Sequence, residues 1–339
     1  MKILKKYNII VLTDHKTHTE VDSFYSIINK MKNHVSCNKL VIASRSYSKN
    51  THFFNNPLKQ KLFAIEIKNQ IKYEIFKEIY KESTELQLDE YDVIILRIDK
   101  PILPDFLIQL ETVFKHKIFI NSPKGILKTA TKEYLTNFTH LTPKVEVCSN
   151  TNHILEISKN KEIVIKPLNE DGGKGIARVY KDKAYIGNLQ VHLNELTQHI
   201  STLIKQDGKV LIMDFLKEVQ QGDKRIIVVN GHILGAILRV PPSTNWLCNV
   251  KQGARTVKST VSQDEINIIN IINEPLQNEG IVIYGIDTLV DNNGKRVLSE
   301  INTSNVGGLI QLESFSNKSI LNQAVKYIFE YIHTKSTKG

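Results

Sequence analysis

The chain has 339 residues, 41% of them hydrophobic and 24% charged, which argues against global disorder and leaves ample core for one large domain or two to three smaller ones. A formal net charge of +10 favours anionic partners, yet the lysines are spread along the chain with no arginine-rich tail. That distribution argues against nucleic acid and leaves an anionic surface or a polyanionic substrate such as a nucleotide.

No apolar run approaches the roughly eighteen residues a membrane helix needs, so no membrane partner is expected. Cys37, Cys148 and Cys248 are far apart and form no metal-spaced pair. An odd, sparse count fits a reducing, cytoplasmic setting. The basic start MKILKKYNIIVLTD reads as a first strand over Tyr7–Leu12, not an export signal, because Asp14 interrupts the run. Asp22 or Ser23 can cap a helix whose apolar face carries Phe24, Ile27, Ile28 and Met31.

Strands at Leu40–Ala43, Asp92–Leu96 and Lys117–Ile120 alternate with helices at Ile71–Tyr80 and from Pro104, whose fixed φ suits a first turn. Such alternation implies a parallel sheet covered on both faces, with ligands beyond the strand C-termini. Asp14, Arg97 and Asn121 fall there. Arg97, a cation directly after an apolar strand, stands out among them.

From Gly125 to Asn137 the pattern is helical, with Lys128 and Lys132 four apart on one face. An apolar strand then delivers Lys166, and Gly172-Gly173-Lys174-Gly175 follows closely. Glycines allow backbone N–H groups to approach phosphate oxygens, though such a loop also serves as a plain hairpin turn. Val210–Phe215 reads as a strand. Gly222-Asp223-Lys224-Arg225 leads into Ile226–Val229, and Asn230-Gly231 turns the chain into Ile233–Val240. The polar stretch Pro241–Arg255 holds the only tryptophan, and loops of that length are functional lids or disordered. Ser262 and Glu265 form a capping box for a helix carrying Ile266, Ile269 and Ile272, kinked at Pro275 and stopped at Gly280. The tail from His333 is expected to fray.

The stretch Tyr284–Gly308 is the centre of the chain. Asp287 ends one apolar run, Asp291–Gly294 makes a turn, and Glu300 and Asn302 close the second run. Two apart on a strand, Glu300 and Asn302 share a face, and with Asp287 they could present hard oxygens to magnesium carried by nucleotide phosphates. A solvated strand face is the plain alternative.

Taken together these segments resemble the ATP-grasp superfamily and, within it, the prokaryotic glutathione synthetase family. The resemblance rests on LRIDKPILPDF (96–106), INSPKGILK (120–128), IKPLNEDGGKGIARV (165–179), GDKRIIVVNG (222–231), RVPP, CNVKQGA, YGID and SEIN in family order. It implies an α/β architecture: an N-terminal parallel-sheet (pre-ATP-grasp) domain over 1–122, a small ATP-grasp subdomain with the glycine flap over 123–215, and a C-terminal catalytic subdomain over 216–333, the two subdomains being α+β.

Carried over residue by residue, the resemblance makes Lys132, Lys166, Gly172, Gly173, Lys174, Gly175, Phe215 and Leu216 the ATP-binding set. Arg225 and Arg239 would be catalytic, Arg97, Asn249 and Gly253 would hold the peptide substrate, and Asp287, Glu300 and Asn302 would hold magnesium, with manganese able to replace it. It further implies ATP as co-substrate, small carboxylate and amine partners, and a homo-oligomer. The implied reaction ligates γ-glutamylcysteine with glycine through an acyl phosphate, releasing ADP and phosphate. Another ATP-grasp carboxylate–amine ligase with different substrates is the alternative. A non-catalytic nucleotide- or nucleic-acid-binding protein is a further one, set against the intact metal and phosphate positions. Two segments depart from the family pattern. Thr303–Gly308 replaces the usual V-T-S-P, and the lid carries Trp246 and Cys248 in place of a glycine-rich start.

Overall fold

A computed structural model describes residues 5–20, 22–59, 61–73 and 82–337. The first sheet comprises β1 (Tyr7–Thr13), β2 (Cys37–Ser44), β3 (Lys61–Glu66), β4 (Thr84–Gln87), β5 (Val93–Arg97) and β6 (Ile118–Ile120), in the order β4-β3-β2-β1-β5-β6. β1 is parallel to β2 and β5, and β5 to β6, as the alternation predicts. β3 and β4 add an antiparallel edge instead, so the sheet is mixed. Those two short strands carry Lys61, Glu66 and Glu85 and are partly exposed, which hid them from a pattern search.

Alternate residues of β1 feed two cores. Ile10 and Leu12 pack with Phe53, Phe106 and Leu110, while Ile9 and Val11 meet Phe24, Ile28 and Met31. The covering helices are α1 (Phe24–Lys32), α2 (Thr51–Asn55) and α3 (Pro104–Val113), the last opening on its proline. Asp22, not Ser23, accepts the Phe24 N–H, at 2.8 Å. The helix predicted at Ile71–Tyr80 falls for the most part outside the described residues.

The single helix expected over Gly125–Asn137 is two pieces. α4 (Pro123–Thr129) stops, and a 3-10 segment over Lys132–Phe138 restarts after Thr131, whose Oγ1 accepts from Glu133 N. The break parts the two lysines: Lys128 meets Glu279 at the surface, whereas Lys132 is buried. There follow β7 (Val145–Cys148), α5 (Thr151–Asn160), β8 (Ile163–Pro167), β9 (Ala177–Tyr180), β10 (Lys183–Ile186), β11 (Leu189–Val191), α6 (Leu193–Asp207) and β12 (Val210–Asp214). Their sheet has the order β11-β10-β9-β8-β12-β7 and is antiparallel throughout.

The third sheet, ordered β15-β14-β13-β16-β17, is built from β13 (Asp223–Val229), β14 (His232–Val240), β15 (Arg255–Ser259), β16 (Ile283–Val290) and β17 (Arg296–Asn302). Asn230 and Gly231, at φ 49° and 79°, form the tight turn between β13 and β14. α7 (Gln263–Asn278) opens on the Ser262–Glu265 capping box and runs through Pro275. It buries Ile268, Ile269, Ile272 and Leu276, with Ile266 only half-buried.

After α8 (Leu309–Phe315), α9 (Ile320–Ser336) returns to the first sheet. The expected fraying from His333 does not occur. The two ring nitrogens of His333 lie 3.0 Å from the Tyr7 hydroxyl and 3.1 Å from Ser36 Oγ, and Phe329 and Ile332 pack in the core with Tyr7. No helix among the described residues is long and apolar enough to cross a membrane.

Candidate active site

Strand register assembles the charged cluster. Directly opposed residues on neighbouring strands point to one face, and Arg225 opposes Asp287, Asp223 opposes Arg239, and Asp287 opposes Glu300. Beyond Asp287 the register shifts, leaving Ser299 as an extra residue in β17. This bulge turns Leu298 into the core while Glu300 and Asn302 stay beside Asp287. Ser299 Oγ donates to the Asp287 carbonyl at 3.1 Å, and its own carbonyl accepts from Lys166 Nζ at 3.3 Å.

Asp287 is 1% exposed and held by two guanidiniums. Arg225 forks onto it through Nε and through Nη2 at 2.9 Å, and Arg239 Nη2 lies 2.8 Å from Oδ2. Burial pushes its carboxyl up, but Arg225 and Arg239 outweigh burial and hold it well below the usual carboxylate range. Arg239 also reaches Asp223, at 2.7 Å. Burial pushes Asp223 up, and Arg239 only partly offsets this because it is shared with Asp287. Lys132 Nζ donates to the Glu170 carbonyl and lies 3.8 Å from Glu300 Oε1. Burial lowers the pKa of Lys166, against the pull of Glu300. Four cations thus face three carboxylates in one recess, a balance that suits an anion.

A cleft opens beside this cluster. It is lined by Val164, Ile176, Met213 and Leu216 on the apolar side, by Lys166 and Glu300 on the polar side, and by the lid at Trp246–Asn249. Phe215 and Leu216 border it where β12 ends. Gly172, Gly173 and Gly175 all have φ between +68° and +80°, a conformation that side chains resist. A Cβ at Gly173 would come within 2.8 Å of Asn249 Oδ1, and one at Gly172 within 3.1 Å of Lys251. The glycine loop therefore rests on the lid. Lys174 points outward to Glu170, and Gly253 closes the lid's 3-10 turn at φ 90°.

Arg97 does not line this cleft. Its Nη2 donates to Asp22 at 2.8 Å and to Ser23 at 3.2 Å, while its buried Nε has no hydrogen-bond partner. Asp14 is paired with Arg45, and Asn121 is buried among backbone groups at the start of β16 and just after β17. Nearby, Thr13 gives its hydroxyl proton to the Arg97 carbonyl, so His18 Nε2, 2.9 Å from Thr13 Oγ1, carries the proton. Nδ1 then accepts from Tyr25.

Burial holds the His18 pKa down at about 4. Between about pH 6.5 and 4 the unfolded chain takes up a proton here that the folded chain refuses, so stability falls as pH drops through that window. Denaturant unfolding across it is expected to show a loss of roughly 2–3 kcal/mol attributable to this group. A His18→Gln variant that kept the full slope would contradict the assignment.

Asp223 is the residue that sequence reasoning missed. Its signal was present: it sits two before Arg225, the period that puts both on one strand face.

Comparison with known proteins gives the family. The profile described as "Prokaryotic glutathione synthetase, ATP-grasp domain" matches residues 131–317, more than half of the chain. The chain belongs to the prokaryotic glutathione synthetase family. A glutathione synthetase of Buchnera aphidicola subsp. Schizaphis graminum is 30% identical over 277 residues, covering 80% of this chain and 81% of that protein. One from Prochlorococcus marinus subsp. pastoris is 29% identical over 259 residues, covering 75% and 80%.

Among solved structures, the D-cycloserine synthetase DcsG aligns with a TM-score of 0.67 at 12% identity, covering 96% of this chain and all of that one. D-alanyl-alanine synthetase A of Vibrio cholerae aligns at 0.60 and 11%, covering 99% and all. Together with the ATP-grasp domain profile, these two likenesses show the ATP-grasp fold. As a member of the glutathione synthetase family, the chain is an ATP-dependent carboxylate–amine ligase.

Proposed function

We propose that the chain is a glutathione synthase: it joins γ-glutamylcysteine to glycine with conversion of ATP to ADP and phosphate. The observation that carries this is the convergence of Lys166, Arg225, Asp287 and Glu300 around one recess beside an apolar slot. In this reading the substrate carboxylate attacks the γ-phosphoryl group, and the amine then displaces phosphate from the acyl phosphate. Phosphoryl transfer demands positioning and charge neutralisation from the protein. Lys132 and Lys166 neutralise the ATP phosphates, and N–H groups of Gly172–Gly175 cover them. The Phe215–Leu216 backbone meets adenine.

Arg225 and Arg239, oriented by Asp287 and Asp223, stabilise the transferring group and the acyl phosphate. Asp287, Glu300 and Asn302 supply the hard-oxygen set for magnesium, which when bound adds positive charge at the phosphates. What supports this is placement: Glu300 opposes Asp287 and Asn302 lies beside it, two carboxylates and an amide at one edge of the recess, for an ion that would draw its other ligands from phosphate and water. The lid at Asn249 and Gly253, with Arg97, holds the peptide and keeps water from the acyl phosphate. On the same reading, residues 1–122, 123–215 and 216–333 act as three units, with α9 tying the last to the first.

A second ligase specificity is favoured by one segment. Where the family commonly reads V-T-S-P, this chain has Thr303–Gly308, with Asn305 at φ 45°, Gly308 at φ 106° and the Gly307 carbonyl 3.4 Å from Arg225 Nη1. Phosphate release measured over a panel of carboxylates and amines decides between the two. Stimulation only by γ-glutamylcysteine plus glycine is expected, and none with that pair would hand the reading to the rival. Arg225→Ala should lower kcat by about 10²–10³-fold, more than it weakens ATP binding, because its partner gains charge in the transition state. A defect confined to ATP affinity would contradict that role.

A further inference from the structure

The lid is ordered by one buried amide. Asn245 accepts the Leu247 N–H at 2.7 Å, donates to the Gln252 carbonyl at 3.1 Å, and offers its own carbonyl to Gln220 Nε2 at 2.8 Å. This arrangement turns Trp246, Leu247 and Cys248 into the wall of the cleft, with Val164, Ile176, Met213 and Leu216. The Trp246 indole N–H donates to the Gly187 carbonyl at 3.0 Å, in the turn between β10 and β11. Its ring meets Phe215 edge-on, with centroids 5.9 Å apart. Arg178 lies 4.0 Å from the Phe215 ring centre and 5.9 Å from that of Trp246, anchored by Glu162 at 2.6 Å. A cation facing two rings holds both in place. One side chain of the lid is thus fixed to two parts of the second sheet at the mouth of the apolar slot.

We propose that Trp246 is a nucleotide-binding residue of this chain: its indole, already held by Gly187, Phe215 and Arg178, forms the lid-borne wall of the purine slot. The inference rests on the nucleotide reading given above. A planar aromatic surface next to Phe215 suits a purine face, and the Gly187 bond fixes the plane of the indole before the base arrives.

Trp246 is the only tryptophan in the chain, so its emission reports on this wall alone. ADP with magnesium is expected to change that emission along a saturable curve whose midpoint equals the Kd from calorimetry. Trp246→Ala should raise the calorimetric Kd for ADP about ten-fold, the scale of one lost base–aromatic contact. Trp246→Phe should recover much of that loss. Inorganic tripolyphosphate has no base and should bind wild type and Trp246→Ala equally, which also shows that the variant is folded. Unchanged emission while calorimetry registers ADP binding, an unaltered Kd for ADP in Trp246→Ala, or an equal loss for tripolyphosphate each overturns the inference and leaves the nucleotide site standing. Absence of calorimetric ADP binding to the wild-type protein overturns the nucleotide reading itself, and this inference with it.

Discussion

Asp287→Asn is expected to reduce turnover by about 10³-fold or more, the largest catalytic loss of any single change in the cluster. The carboxylate holds Arg225 and Arg239 at once and lies beside Glu300 and Asn302. An amide of the same shape keeps the packing but offers one acceptor oxygen where two guanidiniums converge, and it removes the charge that balances them. Both arginines should then swing or repel, and on the proposed reading magnesium would lose its most buried ligand. Stability should fall too, because breaking a buried ion pair from one side leaves uncompensated charge, at a cost of about 3–5 kcal/mol.

Acid should mimic the mutation. The folded-state pKa of Asp287 is depressed, so its contribution to stability is complete above the ordinary carboxylate range and is lost as pH falls below it. Glu300→Gln offers a milder contrast, since its side chain is 22% exposed and its cationic neighbour Lys132 is 3.8 Å away. Steady-state phosphate release together with denaturant unfolding checks both variants. Asp287→Asn with near-normal turnover would remove the centre of the catalytic reading.

Much of that centre was legible because strands obey a period of two and turns carry their own residues. Glu300 and Asn302 had to share a face, and Asn230-Gly231 had to turn the chain. What the pattern could not supply was the bulge at Ser299, since one extra residue in a strand leaves no mark on composition. Nor could it show that Asp287 is gripped by arginines from two other strands, which is a matter of register between segments about fifty to sixty residues apart in sequence. The break between Lys128 and Lys132 was hidden for a different reason. The helical period continues across it, and only the Thr131 cap and the burial of Lys132 select the interruption. Arg97 was singled out for following a strand. In the fold it stands at the C-terminal end of β5, with Asp22 and Ser23 as partners, and is not among the residues lining the cleft beside Trp246.

Asn121→Ala is expected to destabilise the fold about as much as Asp287→Asn. This side chain, 6% exposed, leaves the end of β6 and enters the third sheet. Its Oδ1 accepts from the N–H groups of Val282 and Ile283 at 2.7 and 2.8 Å, and its Nδ2 donates to the carbonyls of Ile283 and Thr303, both at 2.7 Å. Four backbone groups depend on one amide. Each buried group left without a partner costs about 1–3 kcal/mol, and partial relaxation keeps the four from adding in full, so a loss of about 3–5 kcal/mol is expected.

The effect should reach the active site, because Thr303 directly follows Asn302 and shares a second bond with Thr129 at 2.8 Å. With its carbonyl released, the end of β17 can shift, and Glu300 and Asn302 shift with it. Activity in Asn121→Ala should therefore require more magnesium than wild type at temperatures where the protein is still folded. The unfolding midpoint in urea, compared at unchanged m-value, measures the first effect, and a magnesium titration of turnover the second. A midpoint equal to wild type would mean that water or backbone movement replaces the amide, and that the first and third sheets are not joined through Asn121.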